Sequence, residues 1–384
     1  PPRSTLFPYT TLFRSVDGYT FDKYVVIVDG SEEVIKATFT VENKDYEIVA
    51  KATANTYNLV YRAGLGEGAE ISQAITFDTN FTVESGAGFT RNGYEFVGFA
   101  FTQDGASSFS AGESLSVSEF VKKAVEAGAL AGYDAKEIVL YAIYGKDTFS
   151  VTYQYGSDVK TDKFEFESNQ NYRGSDTFAR TGYTFTEWQI VGGEKVLAGA
   201  SFTVKAENIV LEPVWVANKY TVKFDKNNGT LISGKTEMAD QEMTYDELVA
   251  LSENVYERTG YTFGGWSFNS QTYADKAEVS NLTSVKDGTV TMVAIWTPRT
   301  DTKYTVYHVV MIPKDMTTTP SSGFNPHDGD KILDEYTEIL QGTTGASVDV
   351  LKTSEVYKTG IKGYTFDEAG TAGYGKTQQT IAAD

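Results

Sequence analysis

The sequence predicts an α+β fold built as a tandem array of small modules, each a mixed sheet with one short helix. Three observations predict it. The phrase Gly-Tyr-x-Phe recurs at Gly18-Tyr19-Thr20-Phe21, Gly93-Tyr94-Glu95-Phe96, Gly182-Tyr183-Thr184-Phe185, Gly260-Tyr261-Thr262-Phe263 and Gly363-Tyr364-Thr365-Phe366. In three copies an aromatic stands three residues after the Phe, at Phe99, Trp188 and Trp266. Those same copies lead to dense apolar strands, Ile138 to Tyr144, Ile209 to Trp215 and Val290 to Trp296. Self-similarity at a domain-sized spacing marks repeated units.

Residues 1–15, PPRSTLFPYTTLFRS, have no counterpart before the other copies and duplicate their own Thr-Leu-Phe. They resemble the in-frame translation of a sequencing-library adapter and are set apart from the fold. A secretion signal would need an unbroken apolar run of roughly 7–15 residues, which Pro8, Thr10 and Thr11 interrupt. Natural sequence is expected from Val16, with 16–54 the C-terminal part of a truncated repeat. Full repeats are then expected at 57–145, 148–216 and 219–297, followed by a different module at 303–384. Thr380 to Asp384 read as the approach to a closing strand, so both ends of the parent protein are expected to lie outside the chain.

The repeat at 219–297 is the clearest. Tyr220, Val222 and Phe224 alternate with Thr221 and Lys223, the period of a strand with one buried face. Asp225-Lys226-Asn227-Asn228-Gly229 supplies turn residues that tolerate positive φ. Thr244 with Glu247 forms a capping-box pattern ahead of Leu248, Val249 and Leu251, which predicts a short helix. Trp266 lies three residues beyond Phe263 and would face away from it in a regular strand. Gly264 and Gly265 therefore predict a bulge that returns the indole to the core side. Val290 to Trp296 is apolar at nearly every position, which predicts a central strand covered on both faces.

The repeat at 57–145 has a longer helical stripe over Ser118 to Leu130, carried by Phe120, Val121, Ala124, Val125 and Leu130. In the repeat at 148–216, Pro213 falls where the others carry Ala142 and Ala294, which argues against a central strand there. Strand, hairpin, helix and late strand is the order of a β-grasp unit. Trp188, Trp266 and Trp296, recurring at fixed places, are expected in the cores.

A net charge of -19 and a pI near 4.6 exclude the basic face that nucleic acid requires. Aromatic residues make up 14% and charged residues 22%, so the acidity does not imply disorder. Cysteine is absent, which removes disulfides and thiolate metal sites. Of the two histidines, His308 falls in a predicted opening strand and reads as structural. His327 lies in the loop Asn325-Pro326-His327-Asp328-Gly329-Asp330, whose oxygens could suit calcium, although a solvated turn is the simpler reading. Asp225 to Gly229 starts like a calcium loop but lacks Gly at the sixth and Glu at the twelfth position, so it reads as a hairpin turn. Carboxylates are plentiful, yet nothing in the sequence pairs two of them in a pocket. Neither Gly-x-Ser-x-Gly nor a phosphate loop is present. The sequence therefore supplies no catalytic, cofactor-binding or metal-ligating residues. The aromatics of the repeated phrases could stack on sugars but read more simply as core.

The opening Tyr-x-Val-x-Phe, the middle Gly-Tyr-x-Phe-x-x-Trp and the closing Val-x-Met-x-Ala-x-Trp resemble the Listeria-Bacteroides repeat, or internalin B-repeat, over Tyr57 to Thr297. Tyr304-Thr-Val306-Tyr307-His308, Leu340-Gln-Gly342-Thr343-Thr344-Gly345, Gly363 to Asp367 and Ile381-Ala-Ala-Asp384 resemble the mucin-binding-protein type of repeat. These resemblances imply a non-enzymatic, extracellular, monomeric stalk or adhesive segment on a Gram-positive cell surface or cell wall. They leave a mucin, host glycoprotein or cell-wall glycan as the partner, carried by 303–384 in the adhesin alternative. A third reading is the spacer of a surface enzyme whose catalytic domain lies elsewhere. No membrane contact is expected of this segment. Short linkers such as Gly145-Lys146-Asp147 and Val216-Ala217-Asn218-Lys219 imply end-to-end spacing, with modules roughly 30 Å across and like charge resisting collapse.

Overall fold

In the computed structural model the described residues are 16–35, 44–310, 331–366 and 378–382. The adapter-like segment and the His327 loop lie outside them. The described residues fall into two compact units, within Pro1–Thr177 plus Glu187–Pro213 and within Phe178–Thr186 plus Val214–Asp384. The fold is β-rich, made of small mixed sheets with few helices.

In the first unit, β1 (Tyr19–Val28), β2 (Ser31–Val34) and β3 (Glu47–Ala54) form an antiparallel sheet in the order β2-β1-β3. Next come β4 (Thr56–Arg62), β5 (Ile71–Thr76), β6 (Asn80–Thr82), β7 (Tyr94–Ala100), β8 (Ser114–Ser116), α1 (Val117–Glu126) and β9 (Glu137–Lys146). Their main sheet has the order β5-β4-β9-β7, with β4 and β9 parallel and the other pairs antiparallel. A ribbon of β6 and β8 joins α1 beside it. Tyr57, Leu59 and Tyr61 alternate inward on β4, and Ile138, Leu140 and Ala142 do so on β9. They meet Val117, Phe120, Val121 and Ala124 of α1 in one core. The helix is shorter than the apolar stripe. Leu130 is still buried beyond it, with its amide donating to the Ala124 carbonyl at 3.0 Å. Burial pushes the Tyr61 phenol up to about 12.

Then follow β10 (Thr148–Tyr155), β11 (Asp158–Glu165), β12 (Asn169–Asn171), β13 (Tyr183–Ile190), β14 (Lys195–Val196), β15 (Ser201–Thr203) and β16 (Ile209–Ala217). The five-stranded order is β11-β10-β16-β13-β14, and β12 pairs with β15. The strand carrying Pro213 is thus central, against the sequence expectation. The proline is tolerated because the parallel ladder does not reach it: β16 pairs with β10 from Ile209 to Leu211, and the ladders of the other two copies likewise end at Tyr141 and Val293, before Ala142 and Ala294, so the missing amide removes no bond from it.

The second unit continues with β17 (Lys219–Asp225), β18 (Thr230–Leu231), β19 (Gln241–Thr244), β20 (Val249–Ala250), β21 (Tyr256–Glu257), β22 (Tyr261–Phe268), β23 (Gln271–Tyr273), β24 (Glu278–Val279) and β25 (Gly288–Pro298). The sheet order is β19-β17-β25-β22-β23, with β17 and β25 parallel. Small ribbons pair β18 with β21 and β20 with β24. The expected bulge is present: the β22–β25 register shifts between Phe263 and Gly265, Gly265 has φ 112°, and Trp266 is fully buried. The same shift recurs at Phe96/Gly98 and at Phe21/Lys23. In each full repeat a ring of the opening strand meets the aromatic three residues after the phrase Phe at 4.9 Å: Tyr61 with Phe99, Tyr153 with Trp188, Phe224 with Trp266.

Three expectations are corrected. The helix predicted at Thr244 does not form. Thr244 is the last residue of β19, the Tyr245 amide bonds the Asn218 carbonyl, and Asp246 sits in the left-handed region at φ 63°. A single α1-type helix is also missing from the copies at 148–216 and 219–297, where only short connections separate β15 from β16 and β24 from β25. The closing strands are not buried on both faces. Val290, Met292 and Ala294 are buried, whereas Val293 and Ile295 are half-buried, because the core lies on one side of the sheet. Finally, Trp188 and Trp266 are fully buried, but Trp296 is half-buried, covering Gly229 and donating its indole N–H to the Lys226 carbonyl at 2.9 Å.

The chain ends with β26 (Thr302–Val306), β27 (Val309–Val310), β28 (Lys331–Ile332), β29 (Glu338–Gly342), β30 (Ser347–Asp349), α2 (Val350–Thr353), α3 (Glu355–Thr359) and β31 (Gln378–Thr380). These pair as β26–β29, β27–β28 and β30–β31, all antiparallel. His308 lies just past β26 rather than within it.

Candidate functional site

The repeated Gly-Tyr phrase builds the most regular site in the chain, at the seam between one sheet and the next. Gly18, Gly93, Gly182 and Gly260 all occupy the left-handed region, with φ 84°, 82°, 77° and 76°. A Cβ at the first three would overlap the ring of Phe77, Phe166 or Tyr245 respectively. Glycine is required both for the backbone and for the space.

The tyrosine that follows reaches across the same seam. Tyr19 bonds Asp78, Tyr94 Oη donates to Glu167 at 3.1 Å, and Tyr183 Oη donates to Asp246 at 2.8 Å. Each acceptor directly follows the packed ring and is itself left-handed, with φ 64°, 62° and 63°. The rings meet edge to face at 5.6, 5.5 and 6.0 Å. An arginine three residues before the tyrosine lies over its ring at Arg91, Arg180 and Arg258, 3.8, 3.5 and 4.0 Å from the centroid.

One residue joins neighbouring sheets. Asn55 separates β3 from β4, Asp147 separates β9 from β10, and Asn218 separates β16 from β17. Its amide donates to the glycine carbonyl at 2.8, 3.1 and 2.8 Å, and its carbonyl accepts from the ring residue's amide at 2.9 Å in all three. Asn55 and Asn218 are buried and add side-chain bonds. Thr20 and Thr184 donate to their Oδ1 at 2.6 Å, and their Nδ2 donates to the carbonyls of Tyr133 at 3.0 Å and Ser284 at 2.8 Å. A buried amide with every group satisfied rigidifies its surroundings.

The fourth seam varies the theme. Arg299 bonds the Gly260 carbonyl at 2.8 Å, and its own carbonyl accepts from Thr344 at 2.9 Å. Thr344 and Gly345 replace the ring and the acid, and Gly345 keeps the left-handed backbone at φ 80°. The Thr344 hydroxyl donates to the Gly260 carbonyl at 2.7 Å and accepts from Thr302 at 2.5 Å. The fifth phrase forms no strand; Tyr364 and Phe366 are exposed. The phrase tyrosines, read from sequence as core, are therefore seam residues in the first three copies.

Asp246 titrates below its ordinary 3.8 because Asn281 and Tyr183 hydrogen-bond its charged form. Tyr183 titrates above its ordinary 10.0 because of the bond to Asp246 and then burial. The lowered carboxyl contributes stability above its unfolded value that is lost as pH falls through the folded one. The raised phenol contributes below 10.0 and loses its share as pH rises further. Amide exchange at Tyr245 and Asn218 should thus be slowest between these limits and accelerate toward both. A flat pH response, after correction for intrinsic exchange, would remove the Tyr183–Asp246 bond from the account.

The remaining chemistry-bearing cluster is structural in its geometry. His308 Nε2 lies 3.1 Å from Glu338 Oε2, and the buried Ser354 hydroxyl bonds that same oxygen. Glu338 Oε1 accepts the amides of Glu355 at 2.8 Å and Val356 at 3.3 Å, while Ser354 caps α3 through the Tyr357 amide at 3.0 Å. Burial opposes the charge on Glu338, but the bonds from Ser354, His308 and the two amides outweigh it and lower its titration. Ser354 and His308 are 3.5 Å apart and converge on one carboxylate, instead of forming the relay that activates a nucleophile. Asn227 and Asn228 are left-handed at φ 44° and 65°, and the Asp225 carboxylate accepts the Asn227 amide at 2.8 Å, so this loop spends its oxygens on the turn. Among the described residues no group of three or more His, Asp or Glu is placed to hold a metal ion. Among the same residues no helix is long and apolar enough to cross a membrane.

Comparison with known proteins places these seams in context. A protein of Evansella cellulosilytica named "Putative Gly-rich membrane protein" is 22% identical over 260 residues, covering 65% of this chain and 27% of its own length. A second from the same organism, named "Putative membrane protein", is 21% identical over 162 residues, 42% of this chain and 24% of its own. The chain thus spans about a quarter of the length of these relatives. Residues 149–211 and 220–295, the two segments on either side of the Asn218 seam, each match the Listeria-Bacteroides repeat domain, a bacterial surface-protein repeat.

Proposed function

We propose that the chain is a non-enzymatic spacing segment of a bacterial surface protein, in which the Gly-Tyr seams fix one sheet against the next. The observation that carries this reading is the repetition of the seam bonds at Asn55, Asp147, Asn218 and Arg299 with a single geometry. A ligand-binding surface has no need to repeat the same buried contact between neighbours, whereas a spacer does. The names of the relatives, both membrane proteins, support a membrane-attached parent protein, and the surface-protein repeat matched at 149–211 and 220–295 supports an extracellular site for this segment. The parallel pairing of first and last strands in each mixed sheet supports a β-grasp ancestry, with the helix retained in α1 and lost from the two later copies. The boundaries of the repeats are then those read from the sequence, each seam residue being the joint.

The test is binding. The full chain on a sensor surface is expected to show no saturable response to mucin or to host glycoprotein. Saturable binding that is lost on deleting 303–384 would replace the spacer by the adhesin reading for that part of the chain.

A further inference from the structure

The strands that carry the chain into and out of each mixed sheet are direct neighbours and run parallel. The chain enters β4 from Asn55 and leaves β9 at Asp147; β4 and β9 pair from Asn58/Glu137 to Arg62/Tyr141. It enters β17 from Asn218 and leaves β25 beyond Pro298; these pair from Tyr220/Gly288 to Asp225/Val293. In the copy between them, β10 and β16 pair from Val151/Ile209 to Tyr153/Leu211. Tension along the chain pulls the first strand toward its start and the last strand toward its end. The two strands then slide past each other, and all the ladder bonds bear the load together.

We propose that each of these sheets is a load-bearing shear clamp, and that the sheet at 148–217 is the one that yields first. The proposal rests on the spacer reading and adds mechanical resistance to it. Its weak member follows from ladder length: three residue pairs join β10 to β16, against five between β4 and β9 and six between β17 and β25. Single-residue seams suit this role. With the joint amide and carbonyl both bonded across the seam, little slack chain is left to stretch before the sheets are loaded.

The chain has no cysteine, so introduced cysteines give unique handles for single-molecule pulling. Val216→Cys with Thr297→Cys loads β17 and β25 at opposite ends, in shear. Lys226→Cys with Thr297→Cys loads them near the same end and unzips them. Forced unfolding reports the loaded barrier rather than equilibrium stability, and the two full-length variants should melt alike without load. The shear pair is expected to rupture at a severalfold higher force. Equal forces in the two geometries would overturn the clamp while leaving the binding test of the spacer untouched. Ala54→Cys with Thr297→Cys loads the three sheets in series, and the first rupture is expected to release the chain length of 148–217; a first release matching 56–146 or 219–298 would overturn the assignment of 148–217 as the yielding sheet.

Discussion

Trp266→Ala is expected to destabilise the sheet at 219–298 by about 3–5 kcal/mol, the usual cost of truncating a buried large aromatic. The indole is fully buried and meets Phe224 at 4.9 Å, Phe263 at 5.0 Å and Tyr256 at 6.4 Å. Its removal strips partners from three rings at once, and the bulge at Gly265 fixes the backbone so that the space cannot readily close. Denaturant unfolding followed by the remaining fluorescence of the chain measures the loss. The same truncation at Trp296 should cost clearly less, because that side chain is half-buried and spans a turn. Equal losses at the two positions would contradict the assignment of one to the core and the other to its edge. Intact stability at Trp266→Ala would remove it from the core altogether.

Gly182→Ala is expected to open the Asn218 seam. The substitution carries two separable costs. One is backbone strain at φ 77°, about 1–3 kcal/mol for a non-glycine residue held there. The other is overlap of the new methyl with the Tyr245 ring, which has to move away from Tyr183 and loosen the bond to Asp246. Gly192 supplies the control: it has the same φ of 77°, but a Cβ there meets nothing within 4 Å. Gly192→Ala should therefore cost the strain alone. The excess at Gly182, read from thermal unfolding and from amide exchange at Tyr245, is the contribution of the seam. Identical behaviour of the two variants would show that the ring does not need the vacancy.

What could be read from the sequence follows short-range rules. The bulge after the phrase follows from a period-two argument within a few residues, Phe263 to Trp266, and the glycines that permit it stand between them. The alternation of Tyr220, Val222 and Phe224 shows which face of β17 turns to the core, and the turn at Asn227 and Asn228 follows from a residue type that tolerates positive φ. The identity of the repeat follows from the combined opening, middle and closing patterns.

Tertiary structure alone decided the rest, because the partners are remote. The hydroxyl of Tyr94 finds Glu167 across 73 positions and that of Tyr183 finds Asp246 across 63, so no local pattern distinguishes a seam tyrosine from a core one. The capping box at Thr244 was legible but misleading: its amides are taken by Asn218 and Asn281, and a bonded seam outcompetes a short helix that would leave its first amides to be satisfied by one side chain. Pro213 points away from a central strand by local rule, yet the parallel ladder ends at Leu211 and lets it stay in the middle of the sheet. Local chemistry thus fixes strands, turns and bulges over a few residues. Which surfaces meet is set by the long-range burial of rings and the pairing of every buried amide, and that is where the seams arise.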